Sequence, residues 1–211
     1  MKIICTNPLV AIVDDFADDA FCEHVKTIAS PLLKTGQVAD PKGGRKESKL
    51  RTNREALLDT WSDPILTQFV QRISELVRLP PEYSEPINVL HYQQDQEFHP
   101  HTDAILPDKG GRERLAMGGQ RIFTTLCYLN DVEIGGETVF PALKVAVKPK
   151  KGRVLLFGNT LPGSAERHPA ADHAGLPTND HEKWAVNVSW RQSTFVRHRS
   201  YPDKTGELTA Y

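Results

Sequence analysis

The sequence predicts an α+β chain whose core is a jelly roll buttressed by N-terminal helices. Helical periodicity is confined to the residues before Pro80. From Ile87 onward it gives way to short extended segments, each bounded by Gly, Pro, Asn or Asp. A chain of 211 residues, 39% of them hydrophobic, is long enough to bury one sizeable core. Helices followed by many short strands suit a helix-buttressed β-sandwich or barrel, and a jelly roll is the leading form.

Leu9 to Phe16 is rich in Val and Ile and reads as a strand. Asp18 and Asp19 then cap a helix running through Phe21, Val25 and Ile28. Ser62-Asp63-Pro64 is a second helix start, with Ser as the cap and Pro in the first turn. Ile65, Phe69, Ile73 and Val77 follow as its buried stripe, and the helix ends before Pro80-Pro81. The extended segments are INVLHYQ, RIFTTLCYL, ETVFPALKVAVKP, GRVLLFG and KWAVNVSW. Three stretches, 31–49, 107–120 and 159–182, read as loops long enough to face a substrate. No repeat or compositional break divides the chain, so one domain over 1–192 is expected, with a polar, poorly ordered extension over 193–211.

Composition excludes several function classes. With 26 Lys+Arg against 27 Asp+Glu, the chain is neither a polyelectrolyte nor a basic nucleic-acid binder. Cys5, Cys22 and Cys127 are odd in number and widely spaced, which argues against a disulfide framework and for a reducing, cytoplasmic setting. The N-terminal apolar stretch, broken by Asn7-Pro8, is too short for a secretory signal, and no run is long enough to span a membrane.

The window HYQQDQEFHPHTD, His91 to Asp103, carries the chemistry. If it is extended, His101 and Asp103 share one strand face and can hold one ion; His99 shares that face by parity and competes. A third ligand must come from His168, His173 or His181. His173 is preferred because Lys183 follows ten residues later, at the head of the strand KWAVNVSW. Two histidines and one carboxylate leave three positions open on an iron ion, which suits ferrous oxygenase chemistry. A structural zinc site would want four filled positions, usually with thiolates.

His101-Thr102-Asp103, GGETVFP (135–141), KGRVLLFGN (151–159), His173 to Pro177 and Lys183-Trp184 resemble, in order and spacing, the motifs of the 2-oxoglutarate- and Fe(II)-dependent dioxygenases of the prolyl 4-hydroxylase group. Asp14-Asp15-Phe16 and Arg51-Thr52-Asn53 are further landmarks of the resemblance. It implies a double-stranded β-helix with iron on His101, Asp103 and His173, and with Lys183 on the distal carboxylate of 2-oxoglutarate. Tyr128, Thr124 and Tyr92 are implied to line the cosubstrate pocket, and Arg121, Phe98 and Trp184 the substrate side, with Trp184 a wall of either the pocket or the core. The implied reaction hydroxylates a prolyl residue of a peptide or protein with O2, giving succinate and CO2, with L-ascorbate as an auxiliary. The carboxylate at Asp103 favours hydroxylation over halogenation.

Three positions depart from the resemblance. Phe98 stands where relatives usually carry Tyr, Ser189 where they carry a substrate-side Trp, and Arg191 where they carry His. Trp190 can replace the missing indole only if a bulge turns it inward. Hydroxylation of a free amino acid or small metabolite, and a catalytically silent cupin-like binding module, are the alternatives.

Overall fold

The structure is a computed structural model and describes residues 1–179 and 181–196. Among these residues the strands are β1 (Lys2–Thr6), β2 (Leu9–Val13), β3 (Lys34–Thr35), β4 (Gln37–Ala39), β5 (Arg45–Glu47), β6 (Arg54–Leu58), β7 (Ile87–Tyr92) and β8 (Phe98–His101). They continue with β9 (Arg121–Tyr128), β10 (Thr138–Phe140), β11 (Val145–Val147), β12 (Val154–Gly158), β13 (His173–Gly175) and β14 (Lys183–Arg191). The helices are α1 (Asp19–Ala29), α2 (Pro64–Val77) and α3 (Lys109–Leu115).

An eight-stranded sheet runs β1-β2-β12-β9-β14-β7-β6-β3, and a four-stranded sheet runs β11-β10-β13-β8. All of the strand pairs in both are antiparallel. This is the jelly roll expected from the sequence. Val10, Tyr128, Phe140, Val147, Leu155, Phe157 and Ala185 fill the space between the sheets. On the other face of the large sheet, α1 and α2 bury Phe21, Val25, Phe69, Val70 and Ile73 against Cys127, Val186, Val188 and Trp190. Strand β14 is therefore buried on both sides, and period-two geometry sends its odd residues toward the second sheet and its even residues toward the helices.

Asp18 caps α1 as expected, its carboxylate accepting the Phe21 N–H at 2.8 Å. The start of α2 differs. Asp63, not Ser62, is the cap, accepting from Ile65 at 2.8 Å and Leu66 at 3.2 Å. The Ser62 hydroxyl instead bonds the Asp59 carbonyl within a preceding turn. Nor is Ile65 part of the buried stripe, since it is 42% exposed and Leu66 is buried in its place. A spacing of four drifts about 40° per step around a helix of 3.6 residues per turn, so four such residues cannot all face one way.

Each expected loop contains regular structure. Residues 31–49 hold β3 and the β4–β5 hairpin, 107–120 hold α3, and 159–182 hold β13. Strand β1 pairs with β2 through the Asn7-Pro8 turn and is mostly exposed, so it lacked the alternation that marks a strand. ETVFPALKVAVKP forms two strands, β10 and β11, with Pro141 opening the turn between them. Residues 193–196 still bond the domain, Ser193 to Gly118, Phe195 to Glu82 and Val196 to Met117. Of the expected C-terminal extension, 197–211 lies outside the described residues.

Candidate active site

Strands β8 and β13 pair with His173 opposite His101. The chain turns after His101 to bring Asp103 alongside. Ligating atoms of His101, Asp103 and His173 all lie within 4.8 Å of one another. His101 Nε2 is 3.8 Å from Asp103 Oδ1, and His173 Nε2 is 3.8 Å from Asp103 Oδ2. His101 Nδ1 lies 2.8 Å from the His99 carbonyl, and His173 Nδ1 lies 3.3 Å from that of Ala171. A carbonyl only accepts, so each Nδ1 carries the proton and each Nε2 presents its lone pair toward the carboxylate.

The surroundings keep these groups in their ligating forms. Burial, and then the neighbouring His173, push the His101 imidazolium down to about 3, so the ring is neutral near pH 7. Burial would raise Asp103, but its neighbours His173, His101 and Arg121 and the hydrogen bond from the Thr124 hydroxyl hold its carboxyl below the usual range. Asn159 Nδ2 donates to Thr124 Oγ1 at 2.9 Å, which leaves the Thr124 proton for Asp103 Oδ2 at 2.7 Å. Thr124 thus supports the acidic ligand itself. Two imidazole lone pairs and one carboxylate on one side of a common point fit a ferrous ion with an open face.

Lys183 heads β14, pairs with Tyr92 of β7 and points between the sheets. It is 2% exposed. Its ammonium donates to the Gly136 carbonyl at 2.9 Å and lies 4.1 Å from the centre of the Tyr92 ring. Among the described residues no carboxylate is within ion-pair distance of it. Burial pulls its pKa down to about 7, opposed only by the more distant Glu137. A buried cation left without an anion is costly, so the pocket is arranged for a charge that the described residues do not supply. Gly175 keeps it open, because a Cβ there would stand 3.2 Å from the Tyr92 hydroxyl and 3.6 Å from the Lys183 ammonium. These residues fit the distal carboxylate of a keto acid. The Tyr128 hydroxyl donates to Thr138 Oγ1 at 2.8 Å on the same inner face.

The substrate side differs more from expectation. Trp184 does not face the site: it neighbours Lys183 on a strand, so its side chain emerges on the helix side, buried and stacked on His91 at 4.1 Å. Trp190 shares that face, its indole N–H bonded to Thr125. The register does shift, but between Trp190 and Arg191, one residue too late to turn the indole inward. Arg121 gives both ends of its guanidinium fork to Glu85, at 2.6 and 2.7 Å, within the electrostatic reach of Asp103. Arg191 points toward the same carboxylate, 3.3 Å away, and donates to the Gly119 and Arg114 carbonyls.

The other histidines lie elsewhere. His99 is exposed and pairs with Glu97, His168 bonds Asn7, His91 pairs with Glu182 and His181 is exposed. Sequence reasoning did not single out Asn159, Thr138, Glu85 or Gly175 individually. Asn159, Thr138 and Gly175 sit inside the quoted motifs, while Glu85, in a short linker, had no signal.

The fold and this donor set define a jelly-roll protein with a three-residue metal site and a buried cation for an anionic cosubstrate. The model of the 2OG-Fe(II) oxygenase superfamily matches residues 87–191. Probable prolyl 4-hydroxylase 8 of Arabidopsis thaliana is 34% identical over 210 residues, covering 90% of this chain and 70% of that protein. Prolyl 4-hydroxylase 5 of the same plant is likewise 34% identical over 90% of this chain and 70% of its own. The viral collagen prolyl hydroxylase of Paramecium Bursaria Chlorella virus-1, solved as a 2OG complex, superposes with a TM-score of 0.69 at 24% identity, over 89% of this chain and 98% of its own. The chain belongs to the prolyl 4-hydroxylase family of 2OG-Fe(II) oxygenases. It is a 2-oxoglutarate-dependent dioxygenase, and its cofactors are Fe(II) and 2-oxoglutarate.

Proposed function

We propose that the protein hydroxylates a prolyl residue in a peptide or protein, with His101, Asp103 and His173 holding iron and Lys183 holding the cosubstrate. One observation carries the chemistry: a metal-competent trio and a buried cation that no carboxylate among the described residues neutralises occupy the same inner surface of one jelly roll. The relatives named prolyl 4-hydroxylases support the prolyl substrate.

Bound Fe(II) and 2-oxoglutarate supply the oxidising power, through decarboxylation of the keto acid to succinate and CO2 coupled to reduction of O2. The chain positions and dries the reactants. The two Nδ1 hydrogen bonds fix which nitrogen of each imidazole faces the ion. Thr124 and Asn159 fix the plane of the Asp103 carboxylate. Lys183, with the Tyr92 hydroxyl beside it, fixes the far end of the keto acid and thereby its reacting end. Tyr92 is pushed up to about 12 by burial and stays a proton donor. Phe140 and Phe157 pack on His173 and keep water from that side. The Arg121–Glu85 pair lines the substrate side, where a main-chain carbonyl can share the guanidinium. L-Ascorbate is a proposed auxiliary. Free Cys5, Cys22 and Cys127 support a reducing, cytoplasmic setting.

A second reading, a free amino acid or small metabolite as substrate, is favoured by one observation: Glu85 already takes both ends of the Arg121 fork. A panel of prolyl peptides and free amino acids decides between them. Peptides that gain the mass of one oxygen with matching succinate release are expected. Succinate coupled only to free amino acids would overturn the peptide reading.

A further inference from the structure

One metal-site histidine is stacked on a phenyl ring that in turn carries a guanidinium from the segment just before β6. The Phe98 and His101 rings are nearly parallel, at 11°, with centroids 3.5 Å apart. Arg51 Cζ lies over the Phe98 ring, 4.8 Å from its centre. With one face of the phenyl ring covered by the imidazole, the guanidinium takes the other. The backbones are joined as well: Arg51 bridges to Phe98, His99 N donates to the Leu50 carbonyl and Thr52 N to that of Glu97.

Arg51 itself has little freedom. It is 6% exposed, pairs with Glu55 at 2.8 Å, and donates to Asn53 Oδ1 at 3.0 Å and to the Gln37 carbonyl at 2.7 Å. Gly36 lets it in, since a Cβ there would stand 2.9 Å from Arg51 Nε. Glu55 is in turn bound by Arg45 and Asn88. A guanidinium anchored this way is a fixed plate rather than a mobile cation.

The order of the three groups makes electronic sense. Two neutral aromatic rings avoid face-to-face contact because their negative faces repel. A cation on the far side draws the phenyl π density toward itself and relieves that repulsion on the imidazole side. An imidazole that has donated its Nε2 lone pair is electron-poor, so the contact strengthens when the ligand is engaged. The Nδ1 hydrogen bond selects the ligating nitrogen, and the stack sets the plane of the ring.

Building on the iron-site reading above, we infer that Arg51 and Phe98 are positioning residues for His101, acting as a guanidinium–phenyl–imidazole stack that tunes iron affinity, and that Phe98 is not primarily a substrate contact.

The test uses the full chain in anaerobic titrations of Fe(II) with 2-oxoglutarate present, read by the visible charge-transfer band. Phe98→Leu and Arg51→Lys are compared with the parent and with Phe98→Tyr, alongside thermal melting. Phe98→Leu is expected to weaken Fe(II) binding about tenfold and shift the band, the size typical of groups that orient a metal ligand. Arg51→Lys keeps a charge beside Glu55 but loses the plate, and should do the same more mildly. Phe98→Tyr keeps the stack and should restore both affinity and band. A folded Phe98→Leu with parental affinity and band, and only a raised KM for peptide, would overturn the inference and make Phe98 a substrate contact. Loss of melting temperature with unchanged iron affinity would overturn it in favour of a purely structural role. Failure of the parent to bind Fe(II) would overturn the proposed function and this inference together.

Discussion

At the metal corner Asp103 accepts a hydrogen bond from Thr124, Thr124 accepts one from Asn159, and each imidazole donates its Nδ1–H to a main-chain carbonyl. In the Lys183 pocket, on the same inner surface, an ammonium is buried with one carbonyl and an aromatic face. The first region is organised before anything binds. The second carries an electrostatic deficit that only an incoming anion removes. Ordering the metal ligands in advance lowers the cost of fixing them around an ion, whereas the deficit at Lys183 makes keto-acid binding selective for a second negative charge.

The sharpest way to break this contrast is at the ligands. Asp103→Ala or His173→Ala should lower coupled succinate formation by more than about 100-fold and abolish the charge-transfer band while circular dichroism is preserved. A retained band would show that another residue ligates. Next comes Lys183→Met, which should raise the KM for 2-oxoglutarate by about 100-fold, the scale of a lost buried charge pair. The same change should raise the melting temperature of the ligand-free protein, because it removes an uncompensated buried charge. A lower melting temperature would mean that Lys183 already has the partner it needs.

The proton balance of that pocket sharpens the contrast further. Burial depresses the Lys183 pKa from 10.5 to about 7, so between these values the unfolded chain binds more protons than the folded one. This lysine therefore makes ligand-free stability rise with pH over that window, and its effect levels off outside it. A dicarboxylate beside the ammonium restores its charge, so binding of 2-oxoglutarate near pH 8 should take up a proton, measured by calorimetry in buffers of different ionisation enthalpy. No uptake would mean that the ammonium stays charged without its ligand.

Smaller effects probe the supports. Thr124→Val keeps the shape but removes the donor to Asp103, and should weaken Fe(II) binding about tenfold while the KM for 2-oxoglutarate at saturating iron is unchanged. Trp184→Phe should cost about 1 kcal/mol of stability in denaturant unfolding and leave both constants alone, since its ring faces the helices. A changed 2-oxoglutarate KM would put the indole in the site after all.

The same contrast explains what could be read from sequence. His101-x-Asp103 was legible because metal ligation demands particular residue types at particular places, whereas the role of Lys183 came from the family resemblance rather than from local pattern. Trp184 could not be assigned to pocket or core from sequence because β14 is buried on both faces, so its residues lack the polar–apolar alternation that would tell inside from outside. Asn159 and Glu85 act through side-chain contacts with residues more than 30 positions away, and local pattern carries no trace of such a partner. Strand β13, at three residues, is shorter than any periodicity and takes its form from the strands beside it. The jelly roll was legible because it needs only many short strands of regular spacing.

The two-sided burial of β14 also separates durability from selectivity along one piece of backbone. Val186, Val188 and Trp190 secure the helices, while Ala185, Asn187 and Ser189 alternate with them on the opposite side. Ala185 belongs to the packed core between the sheets, so Asn187 and Ser189 are the positions on that side where substitution disturbs the scaffold least, which makes them a natural starting library for redirecting this oxygenase to new targets.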